Sequence, residues 1–306
     1  MGISQYIKEI GRGPRGSKPL TREQAADLFG QLLDGNVTDL EIGAFCLAMR
    51  IKGETPEEMC GFLGAAHSRM ALFPASDRPV IVLPSYNGAR KLPVLTPLLA
   101  LLLAREGLPV LLHGMRTEAR RTLASDVLLA LGVPALTAPE KIATGSVAHI
   151  ETGYLHAALA RLLKVREVVG LRNAGHSIVK LMNPCAGPAV VVTSYTHPEY
   201  YDMLQATFGA LHMTALLSRG LEGEVATDPR RTPRYDAFVV GVHQLLQEQQ
   251  PGTAADVPGL PTEIDIDTTA RYTQDVLDGR LPVPPALAQQ VEHILHLAAQ
   301  TPPHAP

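Results

Sequence analysis

Cysteine is scarce in this 306-residue chain: there are three, Cys46, Cys60 and Cys185. Their odd number and lack of metal-ligand spacing argue against a disulfide framework and a zinc site. The expectation is three free, mostly buried thiols in a reducing cytoplasm. Long apolar runs are missing too. Nothing approaches the ~18 residues that a membrane-spanning helix needs; Leu98–Ala104 is too short, and Arg105-Glu106 follows it. The first residues contain no apolar stretch of signal-peptide type. There is no internal repeat. His113 has no Asp, Ser or Cys at a spacing that would make a nucleophilic triad.

What is present is enough apolar material, 46% of residues, for one large domain or two smaller ones. The net charge of −3 conceals an asymmetry. Residues 1–83 carry 9 basic and 10 acidic side chains, residues 84–234 carry 16 and 11, and residues 235–306 carry 2 and 9. The basic excess is thus confined to the middle of the chain. Such asymmetry points to a polyanion partner or to an unevenly charged solvated surface.

Residues 1–19 end in the Gly/Pro-rich, basic GRGPRGSKP and read as an irregular arm. Thr21-x-x-Gln24, Thr38-x-x-Glu41 and Thr55-Pro56-Glu57-Glu58 then carry capping-box spacing. In that motif the threonine and the third-position side chain satisfy each other's free backbone amides. They predict helices over 21–33, 38–51 and 55–72. From 74 to 220 strands and helices alternate. Strands are expected at 80–83, 109–112, 167–170, 188–193 and 213–217, and helices at 95–106, 122–131, 151–164 and 198–210. A short helix is expected at 138–145. Residues 226–262 read as irregular with an apolar run at 236–246. Asp267–Leu277 and Pro285–Ala299 read as closing helices, and the tail from 301 as frayed. The expected fold is α/β: a small helical domain over 1–74 and a larger domain over 75–306 with a mainly parallel central sheet.

The stretch Leu83–Arg121 reads strand, loop, buried helix, strand, loop. If its strands are parallel neighbours, their loops meet at the carboxyl edge of the sheet, where open α/β sheets bind ligands. Those loops bring Tyr86, Asn87, Arg90, Lys91, His113, Arg116, Arg120 and Arg121. Arg172, Lys180 and Arg219 fall at later corners of the same edge, with Arg230 and Arg231 just beyond. Cations suit phosphates and flat rings suit bases. Tyr86, Asn87, His113, His176, Tyr195 and His197 are candidate stacking or cleft residues, and so are the adjacent Tyr200 and Tyr201, of which at most one faces a groove. Bland readings stand beside these: solvated loops, internal ion pairs, a core histidine.

Residues Leu20–Phe62, above all AMRIKGETPEE, with LLHGMRTEARRTLASDVLLALGV and RNAGHSIVKLMNP, resemble the anthranilate phosphoribosyltransferases and pyrimidine nucleoside phosphorylases of glycosyltransferase family 3. The resemblance runs to about residue 225. It implies a helical domain beside an α/β domain and a homodimer built through the helical domains. Four departures stand out. Ser85-Tyr86-Asn87-Gly88-Ala89-Arg90-Lys91 replaces the family's Gly-Thr-Gly-Gly-Asp phosphate loop, and Leu112-His113-Gly114-Met115-Arg116 replaces Lys-His-Gly-Asn-Arg. His176 and Val179-Lys180 replace Asn and Gly-Pro. Glu222-Gly223-Glu224 replaces the adjacent Asp-Glu pair that holds magnesium. With SYTHPEYY and RGLEGE, this set is similar to the YbiB-like proteins, which share the fold and bind DNA or RNA without evident base specificity.

The resemblance therefore implies a cytoplasmic, homodimeric protein that binds nucleic acid, single strands above all, through Arg90, Lys91, Arg116, Arg120, Arg121, Arg172, Lys180 and Arg219, with no cofactor and no membrane. The rival is a phosphoribosyltransferase or nucleoside phosphorylase with an altered acceptor, using Mg²⁺ on Glu222 and Glu224. A protein-binding scaffold is the third reading.

Overall fold

The computed structural model describes residues 2–13 and 15–302. Pro14 of the basic arm and residues 303–306 of the expected frayed tail lie outside the described residues.

Four helices open the chain: α1 Ser4–Ile10, α2 Arg22–Leu33, α3 Asp39–Lys52 and α4 Pro56–His67. All three capping boxes form; each threonine cap contributes ~1 kcal/mol. Helix α1 corrects the reading of residues 1–19 as an irregular arm. Ile3 and Ile10, seven residues apart, lie on one face and are fully buried. The glycines and prolines that follow from Gly11 hid that short signal. Glu58 does more than cap α4. Buried completely, its carboxylate accepts from Leu20 N and Thr55 N, both at 2.9 Å, and pairs with Lys52 at 2.6 Å. Gly61 lets α2 and α4 touch: a Cβ there would collide with Arg22 O.

The second unit is an eight-stranded sheet of order β3-β4-β2-β1-β5-β6-β7-β8. The strands are β1 Val80–Pro84, β2 Val110–Gly114, β3 Ala135–Leu136, β4 Val147–Glu151, β5 Ala189–Tyr195, β6 Ala215–Arg219, β7 Tyr235–Val239 and β8 Val242–Gln247. The six strands from β3 to β6 pair in parallel; β7 and β8 add an antiparallel hairpin at one edge. The remaining helices are α5 Thr96–Arg105, α6 Ala124–Ala130, α7 Thr152–Leu155, α8 Ala157–Val169, α9 Gly175–Ile178, α10 Tyr200–Ala210, α11 Ile266–Leu277 and α12 Pro285–Gln300.

The strand expected at 167–170 is instead the end of α8. Val168-Val169 looks strand-like locally, but Leu159, Leu162 and Leu163 keep helical spacing and are buried, while Val168 is 90% exposed. Gly170, with φ 74°, stops the helix. Two parallel strands were not expected: β3, only two residues long, and β4, too polar in His149 and Glu151 to be read from its sequence. The helix expected at 138–145 is extended chain and turn. The apolar run at 236–246 is the β7–β8 hairpin, turned at Val240-Gly241 with both φ positive, at 48° and 80°.

Alternate residues of the central strands enter opposite cores. Ile81, Leu83, Val190 and Val192 pack with α5, α11 and α12, whereas Val80, Val82 and Val191 face the side shared with the helical unit. The chain leaves β1 through α5 toward β2, yet β1's other neighbour is β5. Connections therefore diverge at β1, and the crevice beyond the carboxyl ends of β1 and β5 is the place where such sheets take ligands.

Candidate functional site

The loop after β1 begins in the crevice. Gly88 has φ +66°, and a Cβ there would come within 2.7 Å of Thr122 O, so only glycine fits. Ala89 and Thr122 exchange backbone hydrogen bonds at 2.8 and 3.3 Å and tie this loop to the one after β2. The segment after β6 folds over both. Glu224 is buried and its carboxylate accepts from Ser85 Oγ (2.7 Å), Thr96 Oγ1 (3.0 Å) and the amides of Asn87 (3.0 Å) and Gly88 (2.8 Å). Glu222 accepts from the amides of Arg90 and Lys91, both at 2.9 Å. Loop amides and hydroxyls thus occupy both oxygens of Glu224 and Oε2 of Glu222, and of the two candidate magnesium ligands only Glu222 Oε1 accepts no hydrogen bond among the described residues. Among the described residues no three His, Cys, Asp or Glu side chains stand close enough to share a metal ion.

The structure gathers the eight proposed cationic residues around this edge in different states. Lys91, Arg120 and Arg219 are exposed and have no carboxylate within ion-pair distance among the described residues. Arg90 is exposed and only loosely paired, 3.5 Å from Glu222. Arg116 pairs with Asp126. Arg121 is largely buried, bound to Glu118 at 2.7 Å. Arg172 is half-buried, 3.6 Å from the same carboxylate. Lys180 donates to Gly223 O at 3.1 Å; burial and then Arg172 lower its pKa to about 8, against the opposing pull of Glu224. Arg230 and Arg231 are engaged by Asp228.

Glu118 is a residue that sequence reasoning missed. Burial pushes its pKa up, but hydrogen bonds from Arg166 and Arg121 outweigh this and hold it at about 2. Arg166, at 2.6 Å from Glu118, also escaped notice, since a lone arginine inside a helix carries no signal. With Arg166 included, nine cations along this edge face four carboxylates: Glu118, Asp126, Glu222 and Glu224.

Beside the loops lies a cleft of about 230 Å³ between the end of α3 and the start of α10, lined by Arg50, Arg172, His176, Lys180, Ser194 and Tyr195 among others. His176 is buried, with Nδ1 3.2 Å from Asn173 N and no partner for Nε2 among the described residues. Burial and then Arg172 and Arg166 drive its pKa down to about 3, so the ring is neutral. Ser194 Oγ is likewise buried and unpartnered. Tyr195 and Tyr200 are half-buried and His197 is exposed at the mouth. Tyr201 packs edge-on against Tyr195 with Arg234 over its ring, so Tyr200 is the one of that pair lining the cleft.

Tyr86 and His113 correct the expectation of stacking faces. Tyr86 is 2% exposed and His113 is fully buried. The Tyr86 hydroxyl lies 2.8 Å from both His113 Nδ1 and Thr152 Oγ1. Burial lowers the His113 pKa to about 3. The pair fills the space beneath the β1 loop and offers no face to a base. Asn87 is also buried, under Gly223.

Known proteins match this chain in sequence and in fold. Residues 4–70 match the glycosyl transferase family, helical bundle domain. The chain is 37% identical over 298 residues to the YbiB protein of Escherichia coli K12, covering 95% of this chain and 92% of that one. It is 32% identical over 281 residues to an anthranilate phosphoribosyltransferase of Methylobacterium nodulans, covering 90% and 82%. The anthranilate phosphoribosyltransferase structure from Thermus thermophilus superposes with a TM-score of 0.75 at 21% identity, over 98% of this chain and 90% of that one. The helical bundle and the overall fold are thus shared, and the chain belongs to the family of YbiB and the anthranilate phosphoribosyltransferases.

Proposed function

We propose that this chain binds nucleic acid, single strands above all, along the carboxyl edge of its sheet and through phosphates rather than base edges. The observation that carries this reading is the spread of Arg90, Lys91, Arg120 and Arg219 over the ends of β1, β2 and β6, exposed and loosely paired or unpaired, on a chain of net charge −3. An acidic protein that gathers free cations on one edge focuses its field there and attracts a polyanion against its own net charge. Tyr195, Tyr200 and His197 flank the cations; each base stacked on such a ring would add ~1–3 kcal/mol.

The test is fluorescence anisotropy with a labelled single strand of ~30 nucleotides across a salt series. Affinity should fall steeply with salt. Combined charge reversal at Arg90, Lys91 and Arg219 should weaken binding about equally for all sequences and flatten the salt slope by about one unit for each phosphate no longer neutralised. Unchanged binding by that variant would remove the rim from consideration.

A second reading is favoured by the 32% identity to an anthranilate phosphoribosyltransferase. Here the cleft would take a phosphoribosyl donor or its acceptor. Phosphoribosyl pyrophosphate with Mg²⁺ should then raise the melting temperature by several degrees; no shift at millimolar ligand eliminates it.

A further inference from the structure

We propose that Glu222 and Glu224 are intramolecular substitutes for a diphosphate. They close an anion site that the loop 85–91 would otherwise present to inorganic pyrophosphate or a diphosphate ester.

The site is complete in its donors. Two hydroxyls, of Ser85 and Thr96, and four backbone amides, of Asn87, Gly88, Arg90 and Lys91, converge on two carboxylates that are two residues apart. Thr96 is the first residue of α5, a ten-residue helix. Glu224 therefore places its charge where the helix dipole and free amides favour an anion. Successive backbone N–H groups aimed at one point are the recurring means of holding phosphate oxygens. Here the chain supplies the oxygens itself.

A second observation concerns how the carboxylates are held. Glu222 has φ +56°, a left-handed conformation that a residue with a side chain adopts only when its surroundings impose it. Next to it, a Cβ on Gly223 would collide with Asn87 Nδ2 and lie 2.8 Å from Lys180 Nζ. The segment is pressed onto the loop as closely as backbone allows, and Lys180 fastens it through Gly223 O. The fit is nevertheless incomplete. Glu222 Oε1 is buried without a hydrogen-bond partner among the described residues, 3.5 Å from Arg90 and 3.8 Å from Arg121. A flat carboxylate leaves that gap; a tetrahedral phosphoryl group, with an oxygen more, would reach across it.

The consequence is specificity. With the amides occupied from within, a free diphosphate finds no donors in the loop, while the side chains of Arg90 and Lys91 stay outside. The closure holds whether or not the rim carries nucleic acid.

Backbone amide exchange of Asn87, Gly88, Arg90 and Lys91 tests it, in the wild-type chain and in E222A/E224A, each with and without millimolar inorganic pyrophosphate. The wild-type amides should be protected and unaffected by pyrophosphate. In the double variant they should exchange faster without ligand and regain protection with it, and pyrophosphate should bind roughly tenfold or more tighter than to wild type. Pyrophosphate-dependent protection of these amides in wild type overturns the proposal, as does a folded variant that gains none. If the double variant fails to fold, E222A alone opens the outer half, and the amides of Arg90 and Lys91 give the same two outcomes.

Discussion

Lys180 illustrates how one position carries both fold and site. Its sequence context marks it as a phosphate contact, and the structure half-buries it against Gly223. With its pKa at about 8, it is mostly cationic at pH 7 and mostly neutral at pH 9. Strand affinity should therefore fall as pH rises through about 8. Lys180→Met should bind more weakly at pH 7 and lack that fall, read as anisotropy at pH 7 and 9. Stability follows the opposite direction. Between about 8 and the ordinary value of 10.5 the unfolded chain binds the proton more tightly. Stability therefore rises with pH across that window, and the charged lysine penalises the native state below it. Glu58 is a purely structural counterpart. Glu58→Ala leaves Lys52 buried without its partner and Leu20 N without an acceptor. It should cost about 3 kcal/mol in urea unfolding, with the slope unchanged.

At the scale of elements, sequence was informative where local chemistry decides and silent where distant packing does. Thr21, Thr38 and Thr55 mark the helix starts because capping is a bargain between residues three apart. Strand β4 could not be read this way. What makes Val147–Glu151 a strand is its register against Val110–Gly114, from which α6, β3 and the loops between separate it. The cationic rim was legible as charge near strand ends. Its pairing was not, because Glu118 meets Arg166 and Arg172 only through the placement of α8 against the β2 loop. Close helix packing gives a sharper test. Gly61→Ala would drive a methyl into Arg22 O and separate α2 from α4. A loss of about 1–3 kcal/mol is expected, with a lowered melting temperature and intact strand binding.

At the scale of the molecule, α3 leaves Leu40, Leu47 and Ile51 exposed by 79%, 48% and 58%. Their spacing of seven and four sets them on one helix face. The homodimer expected through the helical unit has its candidate surface here. If the wild-type chain sediments as a dimer, Leu47→Lys with Ile51→Lys should shift it to monomer without loss of helix signal. An unchanged dimer would place the interface elsewhere. A dimer would double the number of rims per particle and raise the salt sensitivity of binding to a strand long enough to touch both.

The closure of the β1 loop also has a direction in time. The helical unit draws on residues 4–67, and its contacts can form early in synthesis. The central strand β1 waits for β5, far along the chain, to cover its second edge. The amides of Asn87, Gly88, Arg90 and Lys91 wait longer still, for Glu222 and Glu224. Distant pairings of this kind form late and slowly. A growing chain that has not yet reached residue 222 therefore carries a free anion site next to a cationic rim. On a ribosome, it is surrounded by the densest phosphate in the cell, and the last turns of folding must win those amides back.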